Sequence, residues 1–265
     1  MRLATWNING LRARLDFLCL WLEARRPDVV GLQELKLETE DFPHDRLAEL
    51  GYQAAVHGEK SWNGVAVLSR GDLRIVQAGL PGQEAFGARL LEVRTLGVRF
   101  ATVYCPNGKS VDHPDFARKL AWFDDLHGYC ATAWDDPAEP GMLCGDFNIC
   151  PGDLDSWWGQ TGMAENAGIF HTAAERARFA ALLALGFHDL YRERHRDGRE
   201  FSWWDYRGGA FHRGHGLRID LLLGNPVLAQ RVTDVTIDRD YRKKHNGLTA
   251  SDHAPVHAEF SLGSP

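Results

Sequence analysis

The chain alternates short apolar runs with Gly, Pro, Asn and Asp, and a few longer amphipathic stretches lie between them. Runs of roughly four to eight apolar residues bounded by turn formers predict strands. RLATWN (2–7), VVGLQE (29–34), GVAVLS (64–69) behind the turn signal Asn63-Gly64, ARLLEVRT (88–95), VRFATVYC (98–105), GMLCGDF (141–147), LRIDLLL (217–223) and APVHAEF (254–260) have this form. Helical spacing predicts helices over 12–25, where Leu15, Leu18, Cys19 and Leu22 share a face, over 114–130, with Phe116, Leu120, Phe123 and Leu126/His127, and over 174–185. The pattern is mixed α/β. The acidic, Pro-containing DDPAEP at 135–140 is too short to demand a domain boundary, and no repeat is evident, so one domain over residues 1–265 is expected.

Composition changes this picture little. A chain of 265 residues, 44 % hydrophobic and 25 % charged, is ordinary globular material. It carries no apolar run of about 18 residues and opens without the basic and apolar segments of a leader peptide, which predicts a cytoplasmic protein with no membrane partner. The five cysteines are odd in number and lack C-x-x-C spacing, so buried free thiols are expected and a zinc site is disfavoured. The net charge of -6 argues against a polyanionic partner only weakly, because screening over about 8 Å makes local charge decisive. Residues 192–218 concentrate Arg192, Arg194, Arg196, Arg199, Arg207, Arg213 and Arg218 among Phe201, Trp203, Trp204, Tyr206 and Phe211. That composition suits phosphates and unstacked bases, and equally a solvated loop around a packed aromatic strand.

Candidate chemistry lies at the polar tips of the apolar runs: Asn7 and Asn9, Glu34, Asp146 and Asn148, Asp220, and Asp252 with His253. In an extended chain Asp146 and Asn148 share one face while Phe147 packs on the other. Each tip also has a plain structural reading as a turn or cap. Asp220 resists it most, because RIDLLL sets a carboxylate in a buried run, where it needs a partner; His253 is the candidate. Gathered at one sheet edge, the carboxylates would repel one another unless a cation sat among them, and oxygen donors favour a hard ion such as Mg²⁺. Phosphoester hydrolysis fits that inventory.

The motifs NINGLRAR, PDVVGLQELK, LCGDFNICPGDLD, FSWWDYR, GLRIDLLL and SDHAPV, in this order over nearly the whole chain, resemble the exonuclease III family of DNA repair nucleases. The resemblance implies a DNase I-like, four-layer αββα sandwich of two packed mixed β-sheets flanked by helices. It implies a Mg²⁺-dependent (Mn²⁺-tolerant) monomeric enzyme that acts on double-stranded DNA at abasic sites or 3′ ends. It casts Glu34 as principal metal ligand with Asn7 beside it and Asp252 as a second acidic position near the metal. Asp146 would activate the attacking water, Asn148 would position it, and Asp220 would fix His253 against the scissile phosphate. Tyr104 and Asn107 would approach the phosphate; Trp203, Leu217 and Ile219 would line a pocket for a base-less sugar; Arg89 and Arg207 would meet the DNA backbone. Leu35 stands where the family commonly has threonine, Cys105 replaces a bulkier residue, and the 156–170 loop has its own composition, which leaves the balance between abasic-site cleavage and 3′-end trimming open. A small-molecule or lipid phosphoesterase of the same superfamily has less reason to carry the arginine-aromatic stretch. An idle DNA-binding module has no reason to keep every catalytic residue.

Overall fold

The computed structural model describes residues 1–160 and 168–261. Among these residues, twelve strands form two six-stranded sheets. The first contains β1 (Arg2–Asn7), β2 (Val29–Gln33), β3 (Gln53–His57) and β4 (Val65–Ser69). The second contains β5 (Arg74–Ala78), β6 (Leu90–Thr95), β7 (Val98–Tyr104), β8 (Gly141–Asp146), β9 (His188–Asp189) and β10 (Asp220–Gly224). The chain then returns to the first sheet with β11 (Val232–Ile237) and β12 (Val256–Phe260). The strand orders are β11-β12-β1-β2-β4-β3 and β5-β6-β7-β8-β10-β9.

The fully buried strands explain the unbroken apolar runs. β2, β4, β8 and β10 are buried at every position, because one face meets the other sheet and the other lies under helices. One core fills the space between the sheets, with Leu3, Val29, Val67, Phe100, Met142 and Val256. A second core packs helix Leu11–Arg25 on the first sheet; a third packs helices Pro114–Ala133 and Ala173–Ala184 on the second. The result is the expected αββα layering. The three expected helices form within a few residues of their predicted bounds, but β3, β5, β9 and β11 were not among the predicted strands. β3 and β5 are edge strands with half-exposed patterns, which blur the apolar signal.

In helix Pro114–Ala133 the buried stripe runs Phe116, Lys119, Trp122, Phe123, Leu126 and Cys130; Leu120 is half-buried, and a lysine takes the core-facing position beside it. All five cysteines are buried and free, as expected.

The sheets approach closely at Gly31. A Cβ on Gly31 would lie 2.6 Å from Thr102 Oγ1, and Gln33 donates to Thr5 Oγ1 (2.8 Å) and across the sandwich to Thr102 Oγ1 (2.7 Å). This buried link fixes how β2 sits over β7.

Asp238 ties the first sheet to its helix. It accepts from Trp21 Nε1 (2.8 Å) and Arg25 Nε (2.9 Å), with His257 Nε2 at 3.5 Å. Burial pushes this carboxyl up, but those donors outweigh it and bring it down to about 2. A carboxyl depressed on folding stabilises the native state above its ordinary pKa, and that contribution disappears as pH falls through the folded value. Asp238→Asn is therefore expected to cost about 2 kcal/mol near neutrality, with the gap from wild type closing between about pH 4 and pH 2. Urea melts across that range check it; a gap that stays constant with pH assigns the loss to packing.

Candidate active site

Parallel pairing carries the tips to one edge. β1 and β2 run parallel, as do β7 and β8, so Asn7, Glu34, Tyr104 and Asp146 all emerge at carboxyl ends. β10 runs antiparallel to β8 with Asp220 opposite Asp146, which brings the amino end of β10 to the same edge. β12 is antiparallel to β1, and the residues before it place His253 there too. Two isolated bridges then join Trp203 to His253 and to Leu217.

The side chains form one network. Asn7, wholly buried, donates through Nδ2 to Glu34 Oε1 (2.8 Å) and Asp146 Oδ2 (2.9 Å). Asp220 Oδ2 lies 2.8 Å from His253 Nδ1, so the partner expected for the buried carboxylate is the one found. His253 Nε2 lies 3.9 Å from Asp146 Oδ2. Ser202 Oγ accepts from the Ile219 and Asp220 amides, while Ser251 Oγ donates to Asn7 O and accepts from His253 N. Tyr104 engages the Glu34 carboxylate, and Arg89 lies over its ring at 4.6 Å while donating to its carbonyl. Asn107 Nδ2 reaches Asn148 Oδ1 at 3.4 Å.

Asp146 and Asn148 share this space by a different route from the expected pleat. β8 ends at Asp146, and Asn148 is in the left-handed region at φ 50, its N–H donating to Asp146 Oδ1 (2.9 Å). A tight turn, which Asn tolerates well, brings the two side chains together. Phe147 is buried behind them against Phe179, as expected.

Asn9, Glu34 and Lys36 also have positive φ. For Glu and Lys such backbone costs about 1–2 kcal/mol each. The carbonyls of Glu34 and Leu35 hold it in place by accepting from Gly10 N and Leu11 N, and Lys36 N donates to Asn63 O. Leu35 is buried in the first helix's core and Cys105 in the third core, so both departures from the family pattern sit away from the site's open face.

Burial pushes the Asp146 carboxyl up to about 7, with Asp220 and Glu34 adding to it against the pull of His253. Burial disfavours charge on His253, but Asp220 outweighs it and pushes the imidazole up to about 10, leaving a cation at neutral pH. Glu34 is likewise pushed up by burial, yet Lys36 Nζ, 2.8 Å away, and Asn7 bring it below the ordinary carboxylate range.

Glu34, Asp146 and His253 each present a ligand atom, all within 4.8 Å of one another, the only such group of three or more among the described residues. Two carboxylates with amide oxygens close by fit a hard divalent cation. Asp252 stands outside this trio. Its oxygens accept from Asn9 Nδ2 (2.8 Å) and Trp203 Nε1 (3.0 Å), so it ties Asn9 to Trp203. Trp203 packs with Trp157 and Phe170 on a small apolar cluster of Cys150, Leu217 and Ile219.

The model of the Endonuclease/Exonuclease/phosphatase family matches residues 4–253. The chain belongs to that family. It is 34 % identical to exodeoxyribonuclease III of Haemophilus influenzae over 98 % of this chain and all of the relative. A 3′ phosphatase, NExo, from Neisseria, bound to a product DNA hairpin, superposes with TM-score 0.92 at 37 % identity, covering 99 % of this chain and 100 % of that one. An AP endonuclease from Archaeoglobus fulgidus superposes equally well, TM-score 0.92 at 30 % identity, with coverage of 99 % and 100 %. The chain is thus an exodeoxyribonuclease III homologue with the DNase I-like fold, in a family of metal-dependent phosphoesterases.

The arginine-aromatic stretch divides. Arg218 is buried between Asp155 (2.6 Å) and Asp189 (2.7 Å), and Arg192 joins Asp155, so these two are internal struts. Arg207 is exposed and forks onto Asp205. Of the 156–170 loop, residues 161–167 lie outside the described residues.

Sequence reasoning passed over Lys36, Ser202, Ser251, the Arg218 network and a buried pair, Lys119 with Glu175. Lys119 had a signal: it stands at helical spacing between Phe116 and Phe123 on an otherwise apolar stripe.

Proposed function

We propose that the protein is a Mg²⁺-dependent DNA repair phosphodiesterase that cleaves 5′ to abasic sites, leaves a 3′-hydroxyl, and also processes 3′ ends. The observation that carries this reading is the convergence of Glu34, Asp146 and His253 within 4.8 Å beside a wall of Trp203, Leu217 and Ile219. Glu34, supported by Asn7 and with Asp252 nearby, would hold the ion, which supplies charge stabilisation at the phosphoryl group.

The chain's own groups do the rest. Asp146, raised towards neutrality, removes a proton from the attacking water, and Asn148 orients that water. His253, kept cationic by Asp220, donates to a phosphoryl oxygen. Tyr104 and Asn107 steer the phosphate. Arg89 acts by propping Tyr104, and Arg207 offers a rim contact to the next phosphate. Trp203, Leu217 and Ile219 receive a sugar without a base and exclude an intact nucleotide by size.

A second emphasis, mainly 3′-phosphatase and 3′-5′ exonuclease action with weak abasic-site cleavage, is favoured by the 37 % identity to the Neisseria enzyme. One labelled duplex with a central abasic analogue, and one with a 3′-phosphate, incubated with Mg²⁺ and with chelator, separate the two emphases by product length. Absence of metal-dependent cleavage on both overturns the proposal. Trp203→Ala is expected to reduce abasic-site incision by about tenfold or more while 3′-phosphate removal falls much less. Equal losses on the two substrates remove Trp203 from the pocket.

A further inference from the structure

Lys119 is wholly buried, so it touches neither substrate nor solvent. Its ammonium donates to Asn148 O (2.7 Å), Asn107 O (3.2 Å) and Glu175 Oε1 (2.5 Å), which uses its three protons. Those carbonyls belong to the two residues whose side-chain amides meet at the substrate face. Glu175 in turn accepts from Phe170 N (3.0 Å) and from Thr172 N and Oγ1, and Phe170 packs on the pocket wall. One cation therefore gathers the Asn107 loop, the Asn148 turn and the segment 170–172.

A buried ion pair stabilises little over an apolar pair of similar size, since both charges lose their hydration. Its distinctive effect here is orientational. Without the ammonium, two carbonyl oxygens and a carboxylate would face one another with no donor between them, and the loops would turn apart. Asn148 is sensitive to such a turn, because its left-handed backbone is held by few contacts: its N–H on Asp146, its side chain on Cys105 O (3.0 Å), and its carbonyl on Lys119.

We propose that Lys119, backed by Glu175, is a positioning residue that aims the Asn107 and Asn148 amides at the phosphate and the attacking water. This rests on the functional reading of Asn148. The test is a kinetic cycle on a 3′-phosphate duplex at saturating Mg²⁺. Lys119→Met with Glu175→Gln removes both charges together and avoids stranding either. Its kcat is expected to fall by up to about 100-fold with KM nearly unchanged, as a small misplacement of reacting groups would cause.

In an Asn107→Ala, Asn148→Ala background the charge-free pair should add no further loss, because both amides it positions are already gone. Multiplicative losses in that background reduce Lys119 to a stability role and overturn the proposal. Lys119→Gln with Glu175→Gln, which leaves no buried charge and whose shorter amide cannot span both carbonyls, completes the same cycle if the first pair variant does not fold. A wild-type protein inert on the duplex refutes the functional reading instead, which keeps the two failures distinct.

Discussion

Asp146→Asn is expected to lower kcat by about three to four orders of magnitude while DNA affinity stays within a few-fold of wild type. The two changes follow from different parts of the same side chain. Asp146 Oδ1 accepts the Asn148 N–H and Oδ2 accepts Asn7 Nδ2, so an amide of equal size can keep one of these bonds through its oxygen. What it cannot do is take a proton. The carboxylate sits where burial pushes it up to about 7, and on the proposed reading it is the base while the nearby His253 cation would supply the charge a phosphoryl oxygen needs. Removing the base also removes a negative charge beside the phosphate, which is why binding should not suffer. Single-turnover rates alongside a binding titration check the split. A collapse of binding together with turnover would instead assign Asp146 to holding Asn7 and Asn148 in place.

The site's residue types were legible because each strand tip carried a polar group where an apolar run should have ended, and Asp220 inside RIDLLL called for the partner it has in His253. What periodicity could not reveal was that all the tips share an edge. That depends on β1 and β2, and β7 and β8, running parallel, and on the hop of the chain from β10 back to β11 in the other sheet. The relation of Asp146 to Asn148 was read as a pleat and is a left-handed turn; alternation and a tight turn can leave the same i, i+2 signature. Composition left the arginines open between phosphate contact and a solvated loop, and Arg192 and Arg218 turn out to be internal struts. Arg218 lies between Leu217 and Ile219, whose side chains pack in an apolar cluster with Trp203, while its own reaches Asp155 and Asp189. Edge strands β3 and β5 stayed hidden because half-exposed positions carry little pattern.

Glu34→Gln is expected to raise the Mg²⁺ concentration needed for half-maximal activity and to lower turnover at saturating metal, together a loss of at least about 100-fold, since changes to the groups around a metal's ligands already cost that much. The structure gives a reason for both effects. Glu34 Oε2 faces Lys36 Nζ at 2.8 Å and Oε1 accepts from Asn7, so its negative charge balances a lysine that also holds Asn9 Oδ1 (2.6 Å). An amide in place of the carboxylate leaves that lysine uncompensated at the very edge where a divalent cation must approach, and repulsion adds to the missing ligand charge. The paired change Glu34→Gln with Lys36→Met should therefore recover part of the metal affinity and little of the turnover, because it removes the repulsion without restoring the ligand. Metal titrations followed by tryptophan fluorescence, run beside activity, read the two quantities separately. Wild-type metal demand in Glu34→Gln would place the ion elsewhere in the cluster, on the Asp146 side, and would take the ligand assignment with it.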